Sequence, residues 1–289
     1  MTLRAAPAGI RHDGHILPLA RASIHEDENE MNEPKENRPP DITVAFQLTV
    51  SGGKRRSEVR VPGGPCRLLD LLPAAREVSG MLTGAALEKV LAEGKTVSCR
   101  AGCGACCRQL AAISVVEAEA LAELVAALPA ERQAVVRARF AEAVRQLEEA
   151  GLLDAADRLG DCTPVARNLT GGEAGVQDVA RRYFALQIPC PFLEDESCSI
   201  HPERPMVCRE YHVTSPAERC AHLFQVAVDR IPVRGPMGEA LMRTAHRAAN
   251  IPLGTIPLVL SLEWSEAHGA SLAHKADGME LFKVMMESL

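Results

Sequence analysis

The chain has 289 residues, of which 47% are hydrophobic and only 3% aromatic, with a single Trp. That length makes one large domain or two ordinary ones, with a core drawn mainly from Ala, Leu and Val. A formal net charge of −6 and few aromatic rings argue against nucleic-acid binding, which uses a basic face and stacking platforms.

Residues 1–40 are rich in charge, Pro and Asn and show no sustained period, which predicts a disordered leader. Met31 lies inside it and offers an alternative start of translation. No secretory apolar region follows Arg4. The longest uncharged apolar stretch, Ala248 to Leu262, contains Pro252 and Pro257 and is too short to span a bilayer. A cytoplasmic protein is expected, with no membrane partner and thiols kept reduced.

Residues 41–94 read as a β-hairpin followed by a helical segment. Ile42, Val44, Phe46, Leu48 and Val50 alternate with Thr43, Ala45, Gln47 and Thr49, the pattern of a half-buried strand. Ser51-Gly52-Gly53-Lys54 is a turn, and Val59 and Val61 continue the alternation on a second strand. Residues 67–93 have helical composition, with expected breaks at Pro73 and Gly80.

Residues 95–222 hold most of the cysteines. Cys99, Cys103, Cys106 and Cys107 fall within nine residues, interleaved with Gly102 and Gly104. Thiolate loops need such sharp turns, so that successive sulfurs converge on one point. The C-x2-C step from Cys103 to Cys106 is the usual bite for a tetrahedral metal or a cluster iron. A helix start follows: Ser114 with Glu117 is a capping box, and Leu121, Leu124, Val125 and Leu128 form an apolar stripe. Pro129 suits the first turn of a second helix carrying Val136, Phe140, Val144 and Leu147, with Gly151 as its stop. Residues 160–175 read as a polar loop, and Ala180 to Leu186 as a helix.

The second cluster contains Cys190, Cys198, Cys208 and Cys220. With the first it supplies eight thiols, enough for two four-thiolate sites or one site with spares. Isolated buried cysteines are common and inert, but this density in a reduced compartment points to metal. Cys106 and Cys107 are neighbours whose side chains diverge, so one mononuclear metal does not suit both. Cys66 and Cys162 lie outside both clusters and read as ordinary small buried residues. Arg100, Arg108, Arg204 and Arg209 flank the thiols and would offset the negative charge of a thiolate centre. His201 ranks below the cysteines as a ligand, and His212 and His222 lower still. Residues 223–289 form a C-terminal region with helices expected around Met237 to Ala249 and Gly278 to Ser288.

The fold expected is mainly α, with a small N-terminal β-hairpin and a helical scaffold around a cysteine-rich metal site. The helical hairpin between the two clusters would bring them side by side.

Two motifs sharpen this. Cys99 to Cys107 is followed by Cys190-Pro191-x-Leu193, Cys198-x-Ile200-His201 and Arg204-Pro205-x-x-Cys208-Arg209. This combination resembles the YkgJ-like CxxCxxCC family, described as zinc- or iron-chelating, over roughly residues 95–222. Cys99 and Cys103 are separated by three residues rather than the family's two, and His201 stands where relatives carry an aromatic residue. Flagellin lysine methylases share a similar motif, thought to hold an iron–sulfur cluster, but Gly171-Gly172-Glu173-Ala174-Gly175 is no convincing nucleotide loop, so methylation is not carried over.

The first expectation is therefore a metal-chelating protein holding zinc or an iron–sulfur cluster. The alternatives are an iron–sulfur-dependent enzyme, redox or protein-modifying, and a zinc-stapled interaction module. Glu194, Asp195, Glu196, Glu210 and Tyr211 are the acidic and hydroxyl side chains that the enzyme reading would place near an open coordination position. Spacing does not separate zinc from iron–sulfur. The paired Cys106-Cys107 and the surplus of thiols favour iron–sulfur. No protein partner is legible.

Overall fold

The computed structural model describes residues 39–50, 53–153 and 172–289. The expected leader, apart from Pro39 and Pro40, lies outside them, as do Cys162 and most of the 160–175 loop.

The hairpin forms as its alternation predicts. Strands β1 (Ile42–Val50) and β2 (Gly53–Val61) pair antiparallel, with Val44 opposite Val59 and Ile42 opposite Val61. Its apolar face is closed by helices from both ends of the chain, and Phe46 meets Phe282 edge-on at 6.3 Å between ring centres. A short strand β3 (Pro65–Arg67) and a 3-10 turn then lead into helix α1 (Leu72–Ala92). The expected breaks do not occur. Pro73 sits in the first turn of α1, where its missing N–H costs nothing. Gly80 is carried within the helix, because burial of Val78, Leu82, Ala85 and Ala86 outweighs the roughly 1 kcal/mol propensity loss of one glycine.

Strand β4 (Ala112–Ile113) precedes helix α2 (Val115–Ala126), and Ser114 forms the predicted capping box with Glu117. Helix α3 (Ala130–Glu149) follows at once, with Pro129 one residue before its first turn. Gly151, at φ +64°, ends it in the left-handed conformation that glycine adopts freely. Helix α4 (Gly172–Ala185) begins eight residues before the expected Ala180. Strands β5 (Leu193–Glu194) and β6 (Ser197–Cys198) make a small hairpin, followed by a one-turn helix α5 (Met206–Arg209). Helix α6 (Met237–Ala249) has the predicted bounds.

The C-terminal region then returns to the N-terminal elements. Strand β7 (Ile256–Pro257) pairs with β4, helix α7 (Ser261–His268) packs on α2, and β8 (Lys275–Asp277) pairs with β3. Helix α8 (Gly278–Met286), capped by Asp277, packs on α6. The chain is thus about half helical with several short antiparallel strand pairs. One hydrophobic cluster joins β1, β2, α1, α2, α6 and α8 to Phe192, Ile200 and Met206 of the cysteine-bearing segment. A second joins α3, α4 and Val259-Leu260. Among the described residues no helix is long and apolar enough to cross a membrane.

Candidate metal centre

The first cysteine segment turns as its glycines suggest, and each glycine does a different job. Gly102 has φ +79°, a backbone angle other residues rarely adopt. Gly104 allows close approach: a Cβ there would lie 2.5 Å from the Glu196 carbonyl oxygen and 2.7 Å from Leu193 Cδ1. Successive turn bonds, Cys103 N–H to Arg100 O, Cys107 N–H to Gly104 O and Gln109 N–H to Cys106 O, coil the segment.

The second segment is laid directly against it. Cys190 N–H donates to the Cys107 carbonyl at 2.8 Å. Arg108 donates two hydrogen bonds to the Glu196 carboxylate, at 3.0 and 2.7 Å. Asp195 and Glu196, at φ +47° and +55°, form the tight turn between β5 and β6. Glu194 accepts from Arg139 at 2.7 Å and also from Arg132, so α3 holds this hairpin in place. Phe192, buried beneath it, meets Phe140 of α3 edge-on at 5.5 Å. Glu194 and Glu196 are thus engaged as structural ties. Glu210 likewise accepts from Ser79 Oγ and from Met237 N–H, both at 2.8 Å.

A third stretch closes on the other side. Ser98 N–H donates to Val213 O at 3.0 Å, and the Cys99 thiol faces Tyr211 O at 4.0 Å. Gln109 Nε2 reaches the Tyr211 hydroxyl at 3.4 Å and the Cys220 carbonyl at 3.2 Å. The Tyr211 side chain acts on the Cys220 thiol to favour its thiolate, against the larger opposing effect of burial, and the Arg230 guanidinium lies 4.8 Å from the Tyr211 ring centre.

Cys106 acts electrostatically on the thiols of Cys99, Cys190, Cys198, Cys208 and Cys220. Its hydrogen bond with Cys107, then burial, raise its pKa. Burial pushes Cys190 up to about 12, with Cys198 and Cys106 adding to the effect. Cys208 is raised by burial and then by Cys190, Cys106 and Cys198. Cys99 and Cys220 are raised by burial, with Cys106 and Cys103 contributing to both. These thiols therefore sense one another and are neutral without a metal. No disulfide joins the described cysteines.

The donors present suit a soft metal. The backbone amides of Val213, Phe192 and Ile200 act on the thiols of Cys99, Cys190 and Cys198 in the direction that favours their thiolate forms. Amides acting on sulfur in this way tune iron–sulfur and zinc thiolate sites. Arg204 lowers the pKa of Cys99, Cys106 and Cys198, yet its buried Nε has no hydrogen-bond partner. A cation so placed is complementary to a negatively charged thiolate centre. Among the described residues, no three His, Cys, Asp or Glu side chains already stand in metal-holding geometry.

The remaining predicted residues are dispersed. Arg209 donates to the carbonyls of Arg204 and Pro202 and so staples the turn before α5. Arg100 and His201 are exposed, and Cys66 is buried in β3. His212 is half-buried, with a buried Nδ1 that has no partner.

Residues 98–224 match the model of the CxxCxxCC family, described as a putative zinc- or iron-chelating domain. No curated protein and no solved structure matches the chain. The matched segment begins at Ser98, whose N–H bonds Val213, and ends at Phe224, which packs edge-on against Phe184 at 5.8 Å. It therefore takes in both cysteine segments and the helices α2, α3 and α4 between them. Sequence reasoning overlooked Glu117 as a long-range anchor, and also Gln109, because neither carries a local signal of what it reaches.

Proposed function

We propose that this chain is a cytoplasmic metal-chelating protein whose CxxCxxCC domain holds zinc or iron through the thiolates of its two cysteine segments. The thiols assigned to the metal are Cys99, Cys103, Cys106, Cys107, Cys190, Cys198, Cys208 and Cys220. The observation that carries the reading is the position of Cys106, which interacts electrostatically with cysteines of both segments. Arg204 is the charge partner of the centre, and the amides acting on Cys99, Cys190 and Cys198 steady the thiolate forms. Because burial raises the pKa of Cys99, Cys190, Cys198, Cys208 and Cys220, and the hydrogen bond with Cys107 and burial raise that of Cys106, metal binding to them as thiolates releases protons. The adjacent Cys106 and Cys107 and the surplus of thiols favour an iron–sulfur cluster over a single zinc ion.

Anaerobic purification with an absorbance spectrum and analysis for iron, acid-labile sulfide and zinc tests this. A brown protein with iron and sulfide supports the cluster. A colourless protein with stoichiometric zinc supports chelation of zinc instead. A folded protein that takes up neither metal refutes the reading.

A further inference from the structure

We infer that Glu117 is a positioning residue for the thiolate site, its buried carboxylate fixing the one-turn helix α5, and with it Cys208, against the scaffold helix α2. The inference rests on the metal-chelating reading.

Glu117 is only 4% exposed. One carboxylate oxygen, Oε2, completes the capping box of α2, accepting from Ser114 N–H at 2.9 Å and Ser114 Oγ at 2.7 Å. That would satisfy the ordinary role of a glutamate three residues after a cap. The other oxygen, Oε1, leaves the helix altogether and accepts from Met206 N–H at 2.6 Å, 89 positions away in sequence.

Met206 is the first residue of α5, and its N–H has no carbonyl within that helix to receive it. Pro205, at the cap position, has no side-chain acceptor to offer. A single turn of helix does not hold itself together in water, so its orientation comes from its anchors. At the other end, Glu210 accepts from Ser79 and Met237 and ties α5 to α1 and α6. Cys208 lies on α5 between the residues tied by these two carboxylates, and Cys190, Cys106, Cys198 and Glu117 act on its thiol electrostatically.

Charge tuning does not explain a carboxylate here. A negative group beside Cys208 disfavours its thiolate, and Glu117 acts in that direction. What Glu117 contributes is geometry, in the manner of outer-sphere groups that orient metal ligands.

The test uses the full chain, stripped of metal, with zinc affinity read by chelator competition and cobalt(II) substitution read by absorbance. Glu117→Ala removes all three of these bonds, the two to Ser114 and the one to Met206. Glu117→Asp keeps the charge but is one methylene shorter and does not reach Met206 while capping α2. Ser114→Ala weakens the same cap and leaves the bond to Met206. Both Glu117 variants are expected to bind zinc about tenfold more weakly, with a shifted cobalt–thiolate band, while Ser114→Ala keeps parental affinity. If Glu117→Ala does not fold, Glu117→Asp decides the matter. Parental affinity in the Glu117 variants, or an equal loss in Ser114→Ala, overturns the inference and leaves chelation standing. A parent chain that binds neither zinc nor iron overturns the chelating reading itself.

Discussion

Gly104 and Glu196 mark the closest approach of the two cysteine segments: a Cβ on Gly104 would sit 2.5 Å from the Glu196 carbonyl oxygen. That oxygen belongs to the backbone of a tight turn, so it does not swing aside as a flexible side chain would. The same contact places Arg108 and Glu196 within reach of two hydrogen bonds.

Gly104→Ala should therefore push the segments apart. Overpacking of this kind costs about 1–3 kcal/mol. Gly102→Ala meets no atom within 4 Å and pays only for its left-handed backbone, about 1–2 kcal/mol. Chemical denaturation measures both losses. Metal content separates them: Gly104→Ala is expected to lose metal binding, whereas Gly102→Ala retains more of it at equal fraction folded. Equal retention would show that the close approach at Gly104 does not matter to the site.

Why part of this was legible in the sequence follows from range. The hairpin, the Ser114–Glu117 box and helix α6 are written in residues a few positions apart, and each formed where its pattern lies. The glycines between the first cysteines also declared themselves. The pairings of β3 with β8 and β4 with β7 involve two or three residues from segments far apart in the chain, too few to show a period. Helix α7 was hidden because it is only eight residues long and its first two, Ser261 and Leu262, end an apolar, proline-containing run. The turn at Asp195-Glu196 has neither the Asn nor the Gly that usually signals two positive φ angles. It is held instead by ties from Arg132, Arg139 and Arg108, which no local pattern reveals.

Arg204 gives a second prediction. Its cation favours the thiolate at Cys99, Cys106 and Cys198, and its buried Nε bonds no protein group. Arg204→Ala should lower metal affinity about tenfold, with little change in the stability of the metal-free protein. Elemental analysis, and the reduction potential if the centre is iron–sulfur, are the measurements. Unchanged metal content together with an unchanged potential would remove Arg204 from the site.

Glu194 provides a pH dependence away from the thiols. Burial raises its pKa, but hydrogen bonds and charge from Arg132 and Arg139 outweigh burial and hold the carboxyl below its ordinary value. A carboxyl depressed on folding stabilises the protein above its unfolded pKa, near 4.3, and that contribution is lost as pH falls through the lower folded value. Because all three side chains are partly exposed, the tie is worth about 0.5–1 kcal/mol at neutral pH. Glu194→Gln should cost that amount at pH 7 and flatten the acid limb of the stability curve. Urea titrations of the metal-free protein at pH 7 and below pH 4 report the difference. A variant whose loss is the same at both values would disprove the ionic account.

Phe192 anchors the second cysteine segment from below. It is 1% exposed and sits edge-on to Phe140, itself 3% exposed, on α3. Removing a buried phenyl ring leaves a cavity, and Phe→Ala changes in cores cost about 3–5 kcal/mol. The backbone carries this loss to the metal site: Ser199 N–H and Ser199 Oγ both donate to Phe192 O at 2.9 Å, directly beside Cys198. Phe192→Ala should thus destabilise the chain by a few kcal/mol and loosen both Cys190 and Cys198. Phe192→Leu fills most of the cavity and should recover much of the stability and most of the metal binding. Denaturation midpoints and metal stoichiometry in the two variants check this. A Phe192→Ala protein that loses stability by that amount yet binds metal at parental affinity would uncouple the ring from the site and assign it to the core alone.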